Sequence, residues 1–110
     1  MNKTTKTMLA FAAVMSANIA LASAQPTNTT LAQTIQNNAQ AARANAAIYQ
    51  WTRVNLEVDR IADAQRHLAT SDRALFEAID ELRRARVERD RVRVQAAAEK
   101  VAALAAQIAR

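Results

Sequence analysis

The fold is decided by residues 51–82, which read WTRVNLEVDRIADAQRHLATSDRALFEAIDEL. Numbered in heptads from Trp51 at position a, this stretch has apolar side chains at five successive d positions and three a positions. A 3.5-residue repeat keeps one narrow apolar stripe on a helix, which is typical of a coiled coil. We predict an interaction seam along the stripe, made of Trp51, Val54, Val58, Ile61, Leu68, Leu75, Ile79 and Leu82.

A second seven-residue series follows the first. It is shifted by one residue from the earlier a positions, which indicates either a skip in a supercoil or a second helix with its own frame. Two polar residues, Gln65 and Asp72, occupy a positions of the first series. The predicted seam continues through Val87, Val94, Val101 and Ile108.

Composition excludes most other folds. The 110 residues include no glycine, one proline and no cysteine, so tight turns, glycine-rich phosphate loops, disulfides and thiolate metal sites are not expected. The abundant alanine, arginine, leucine and glutamine favour helix. The predicted fold class is all-α.

Two architectures fit this pattern. The sequence favours one long Ala/Arg-rich helix over residues 31–110 that forms a coiled coil, because the d series crosses residue 70 without losing phase and no glycine or proline marks a turn. The alternative is an antiparallel two-helix hairpin that turns at Thr70–Asp72, where three cap-forming residues follow one another. In that hairpin, facing residues have numbers that sum to about 141, so that two alanine-rich arms meet.

The N-terminus predicts export. Lys3 and Lys6 precede a 14-residue apolar run, and Ala22-Ser23-Ala24 forms a small-x-small cleavage pattern, so residues 1–24 are predicted to be a cleavable signal peptide. Residues 25–30 then form a flexible polar lead, with a helix predicted to begin at Leu31. The expected location is the periplasm or the exterior of a bacterium, with no transmembrane span after cleavage.

Residues 80–93, DELRRARVERDRVR, are dense in charge. Acids and arginines three and four residues apart predict ion pairs that line a solvated helix. The alternative is binding to an anionic surface, because arginine makes bidentate contacts with phosphate. Removal of residues 1–24 leaves 13 basic and 10 acidic residues, too mild an excess to favour nucleic acid. The candidate anion-binding residues are Arg83, Arg84, Arg86, Arg89, Arg91 and Arg93.

Enzymatic chemistry has little support. The only histidine, His67, lies one helical turn after Asp63, and two such groups do not make a metal site. Thr70, Ser71 and Asp72 are close along the chain, but neighbours on one helix cannot build a catalytic pocket. We expect no catalytic residues, cofactor or metal.

The expected function is therefore that of an exported, non-enzymatic structural or interaction protein. It would act through its coiled-coil seam, with itself or another helical envelope protein as the partner. The alternative is a helical-hairpin binding module, either an envelope adaptor or chaperone or a binder of anionic surfaces through residues 83–93.

Overall fold

The structure is a computed structural model that describes residues 26–70 and 72–110. All regular secondary structure in these residues is helical, which confirms the all-α prediction. The predicted signal peptide lies outside the described residues. The helices are α1 (Asn28–Ala47), α2 (Trp51–His67), α3 (Arg73–Glu88) and α4 (Arg91–Ala109).

One continuous helix from Leu31 to the C-terminus, the favoured architecture, is not what the chain forms. The first three helices end at Ala47, His67 and Glu88, and the four helices pack side by side. The middle interruption coincides with the turn of the alternative hairpin. Each arm of that hairpin is itself folded in two, so the result is a bundle of two short hairpins.

Helices α1 and α2 form the first hairpin. Near one end, the Ala69 amide donates to Asn28 Oδ1 over 2.9 Å. Near the other end, Asn45 Nδ2 donates to Glu57 Oε2 over 2.7 Å. The start of α1 thus lies beside the end of α2, and the two helices are antiparallel.

Helices α3 and α4 form the second hairpin, and α4 joins it to the first. Arg93 on α4 reaches back to Glu81 on α3, with 2.6 Å between Nη2 and Oε1. The most extensive packing is between α1 and α4. Arg43 lies 3.8 Å from Glu99, and Arg91 at the start of α4 lies beside Tyr49, just after the end of α1. These two helices are therefore antiparallel and in the register that the hairpin alternative predicted.

Both tight turns have the Schellman geometry without glycine. Tyr49 and Arg89 have φ values of 59° and 52°, in the left-handed region. In the first turn, the amide of Tyr49 donates to the Ala46 carbonyl and that of Gln50 to the Asn45 carbonyl, at 3.1 and 2.9 Å. Arg89 and Asp90 repeat the pattern on the carbonyls of residues 86 and 85. Glycine usually occupies this position because a Cβ atom is costly there.

Arg89→Gly is expected to stabilise the bundle by about 0.5–1 kcal/mol, because glycine adopts the left-handed conformation without the cost of a Cβ atom. Thermal unfolding followed by circular dichroism measures the change. The matched control is Arg83→Gly, an exposed position inside α3, which should lose about 1 kcal/mol. Destabilisation of similar size in both variants would contradict the strain at Arg89.

Side-chain caps explain where three of the helices begin. The Asp72 carboxylate accepts from the Leu75 amide at 2.9 Å, and the Asp90 carboxylate accepts from the Arg93 amide at 3.2 Å. Asp72 occupies an a position of the first heptad series because it caps α3, and it is not a polar residue inside a coiled-coil core. Helix α1 begins at Asn28, three residues before the predicted Leu31, because Thr27 rather than Thr30 is its cap.

The core runs through the middle of the bundle and contains residues from all four helices. In α1 and α4 most of the buried residues are alanine, which lets these two helices approach closely. In α2 and α3 larger aliphatic side chains fill the core. Among the described residues, no helix is long and apolar enough to cross a membrane.

Candidate interaction surface

The predicted interaction seam lies mostly inside the bundle. Its residues face the other helices of the same chain, so little of the seam remains available to a partner. Val87 differs, with 74% of its surface exposed, since it lies off the buried face of α3. Val54, Val58, Ile61, Leu75, Ile79, Leu82, Val94 and Val101 are buried, and Trp51, Leu68 and Ile108 are partly buried against them.

An apolar surface does remain at one end of the bundle. The turns at residues 48–50 and 89–90 lie side by side, because the Arg91 guanidinium carbon is 5.6 Å from the centre of the Tyr49 ring. We call this end the turn end. Of the large hydrophobic side chains that are exposed in the described residues, only Leu56 lies further down a helix. The others are at the turn end: Ile48, Tyr49, Val87 and Val92.

Three acids near the turn end are held by only two arginines. Arg93 donates through Nε and Nη2 to Glu81 and through Nη1 to Glu88. Arg86 donates to Asp59 on α2 over 3.1 Å. These pairs cross between helices, and none is one of the three- or four-residue pairs predicted along a single helix. The break at Arg89 is the reason, since it brings α4 back alongside α3.

Several arginines are consequently left without a carboxylate partner. In the part of the chain that the structure describes, four of the six candidate anion-binding arginines make no ion pair. An exposed arginine at the start of α2 joins them, although it lies outside the charge-dense stretch of residues 80–93. The unpaired arginines near the turn end are Arg53, Arg83, Arg84, Arg89 and Arg91.

Arg91 and Tyr49 form a cation–π pair across the two hairpins. The guanidinium also donates to Gln95 Oε1 over 3.3 Å, so its position is fixed from two sides. Such a pair leaves the guanidinium N–H groups at the edge of the ring free to meet an anion. Both members are therefore held in place at the surface.

Charge differs between the two ends of the bundle. Residues 80–93 contain six arginines and four acids, a net charge of +2. The segment that surrounds the opposite end, residues 63–77, contains two arginines and three acids. A positive field therefore emerges from the turn end and favours approach by an anionic partner in that orientation.

The Arg93 network also shifts two ionisation equilibria. The hydrogen bond from Arg93 lowers the pKa of the Glu81 carboxyl below its ordinary value of 4.5, against a smaller opposing effect of desolvation. The same hydrogen bond raises the pKa of Arg93. Charge attraction from Arg84 adds to the effect on Glu81. The network therefore favours the ionised forms of both groups.

Glu81→Gln is expected to lower the melting temperature at pH 7 but to have a diminishing effect as the pH falls below about 4.5. A carboxyl whose pKa is lower in the folded state contributes stability above its unfolded pKa, and loses that contribution as the pH falls through the folded value. Melting curves of both proteins between pH 7 and 2.5 measure this difference.

The matched control is Glu77→Gln, which removes the same charge from an exposed carboxylate 3.6 Å from Arg73. Its effect at pH 7 should be smaller, because exposed pairs contribute little. A Glu81→Gln effect that stays constant down to pH 2.5 would contradict the role of the Arg93 bond.

Asp63 and His67 lie one turn apart near the end of α2. Asp63 accepts from Arg66, and His67 is the last residue of α2. Both line an open surface groove together with Leu31 and Ala64. In residues 26–70 and 72–110, no group of three or more histidine or acidic side chains could hold a metal.

Comparison with protein-family models finds no match to this chain. Comparisons with curated proteins and with solved structures find no match either.

Proposed function

We propose that the protein is an exported, non-enzymatic interaction module of the bacterial envelope, and that it binds an anionic surface through the turn end. The observation that carries the proposal is the group of arginines that have no carboxylate partner beside the two turns. The heptad seam serves as the core of this module. Export rests on the signal-peptide pattern of residues 1–24.

The pairing of charges supports this function over that of a solvated helix. Four acids lie in residues 80–93, and Arg93 alone neutralises two of them. Asp90 uses its carboxylate to cap α4. The remaining arginines can approach phosphate or sulfate groups without first breaking an internal ion pair, and breaking such a pair would reduce the affinity.

Binding to immobilised heparin and to vesicles of phosphatidylglycerol tests the proposal, with the chain from residue 25 to 110. We expect binding at about 50 mM salt and its loss at about 0.5 M, since salt screens exposed charges. The variant Arg83→Gln/Arg84→Gln should bind several-fold more weakly to both. The control Arg66→Gln/Arg73→Gln removes equal charge at the other end and should bind nearly as the unaltered chain does. No binding to either polyanion at low salt would refute the proposal.

Self-association is the second candidate. Two complete hairpins are joined by the short connection between α2 and α3. This arrangement favours a domain-swapped dimer, in which two copies exchange the α3–α4 hairpin. The seam would then lie between chains with the same core contacts. Light scattering over a concentration series decides: a dimer mass supports exchange, and a monomer mass of the chain at every concentration rejects it.

A further inference from the structure

We infer that the turn end inserts its exposed apolar side chains into the headgroup layer of an anionic phospholipid bilayer. The inference rests on the proposed function and names the surface. Two turns from two different hairpins form the end of the bundle, and both present apolar groups there. The side chains that would enter are Ile48, Tyr49, Val87 and Val92.

The turn end combines unpaired arginines with exposed apolar side chains, and this combination favours a lipid bilayer over a hydrated polyanion. Unpaired arginines would suit sulfated glycan, nucleic acid or lipid phosphate alike. Ile48, Val87 and Val92 gain nothing from a hydrated polyanion, and each is more than 60% exposed. At a bilayer surface, burial of apolar side chains and attraction of basic groups to anionic lipid act together. A phospholipid surface thus satisfies both sets of residues.

Tyr49 is also suited to the headgroup layer of a bilayer. Its ring is amphipathic, and aromatic residues of this kind favour the boundary between headgroups and acyl chains. Arg91 stacks on the ring, so one guanidinium lies where lipid phosphates would surround the inserted tip. Arg89, at the other turn, is exposed and has no carboxylate partner in the described residues.

The backbone conformation of the two turns is consistent with insertion into a bilayer. At both turns the left-handed position carries a large side chain, Tyr49 or Arg89, where glycine would be less costly. The tip therefore gains an aromatic ring and a guanidinium at a cost in stability. Strained backbone positions of this kind cluster at binding sites.

Trp51 provides the measurement. It is the only tryptophan, it lies two residues after Tyr49, and it is partly buried at the edge of the core. The chain from residue 25 to 110 is titrated with vesicles of equal parts phosphatidylglycerol and phosphatidylcholine, with or without bromine on the upper acyl chain. Insertion predicts quenching of Trp51 by the brominated mixture, and no quenching by vesicles of brominated phosphatidylcholine alone, which carry no net charge.

Apolar variants separate insertion from charge attraction. Val87→Gln/Val92→Gln should weaken vesicle binding by on the order of tenfold and leave heparin binding unchanged. The control is Leu56→Gln, an exposed apolar position one and a half helical turns along α2, which should change vesicle binding less than twofold. Circular dichroism verifies that each variant is folded.

The outcomes distinguish the two proposals. Quenching of Trp51 together with selective loss of vesicle binding in Val87→Gln/Val92→Gln supports insertion. Vesicle binding that is unchanged in this variant, without quenching, overturns insertion and leaves the binding of anionic surfaces intact. Binding to heparin but not to vesicles also overturns insertion and leaves the binding of anionic surfaces intact. Binding to neither overturns both.

Discussion

Leu82→Ala is expected to destabilise the bundle by about 2–5 kcal/mol, the largest effect of a single truncation that we predict. Leu82 is fully buried in α3 and belongs to the core shared by all four helices. Its removal leaves a cavity that the surrounding side chains can fill only in part. Urea unfolding, followed by circular dichroism, measures the loss.

Val87→Ala is the matched control, because both residues were predicted to belong to the seam and lie five residues apart on α3. Val87 is 74% exposed, so its truncation should change stability by less than about 0.5 kcal/mol. If the seam instead joined separate chains, both truncations would lower the association constant, and the stability of Leu82→Ala would depend on protein concentration. Stability that is independent of concentration, with a large difference between the two variants, places the seam within one chain.

The sequence predicted the buried side chains better than the path of the chain. The heptads found the core residues of α2 and α3 because an apolar stripe has the same period whether its partner is another chain or another part of the same chain. A sum of about 141 also predicted the register between α1 and α4. The stripe does not encode which helix covers it, and this explains why a long self-associating helix was favoured.

The two tight turns were missed because the expected punctuation is absent. Without glycine, the left-handed positions are filled by Tyr49 and Arg89, residues that give no turn signal. Asp90, the cap of α4, lies three residues before Arg93, and this spacing equally predicts an ion pair along one helix. The available signal was Asp90 itself, a residue type that favours caps and follows a run of helix-forming residues. The many charged residues around it made an ion pair an equally good interpretation.

The candidate surface depends on those missed turns. Ile48 and Val92 lie outside both heptad series, and they come to the same end of the bundle only because the fold places Arg91 beside Tyr49. The arginines of residues 83–93 were identified from the sequence. The sequence does not show which of these arginines are unpaired, because Arg93 pairs with carboxylates on the other side of a turn.

Ala98→Leu is expected to destabilise the bundle by about 1–3 kcal/mol, through overpacking and not through a cavity. Ala98 has no exposed surface and lies on α4, whose packing against α1 is the most extensive in the bundle. Buried alanines set the short distance between these helices, so three added carbons must displace a helix or adopt a strained rotamer. Ala96→Leu is the control, exposed two residues earlier on the same helix, and it should have little effect because both residues favour helix.

The alanine-rich contact between α1 and α4 also decides between a specific bundle and a loose one. In a loosely packed bundle, a leucine at Ala98 would bury more apolar surface and raise the melting temperature. In the close contact of the structure, the same change lowers it. Thermal unfolding of Ala98→Leu and Ala96→Leu therefore tests the fold by the sign of the effect, and a rise for Ala98→Leu would contradict the packing of α4 on α1. A fall confined to Ala98→Leu would mean that alanine at this position determines how the two hairpins join.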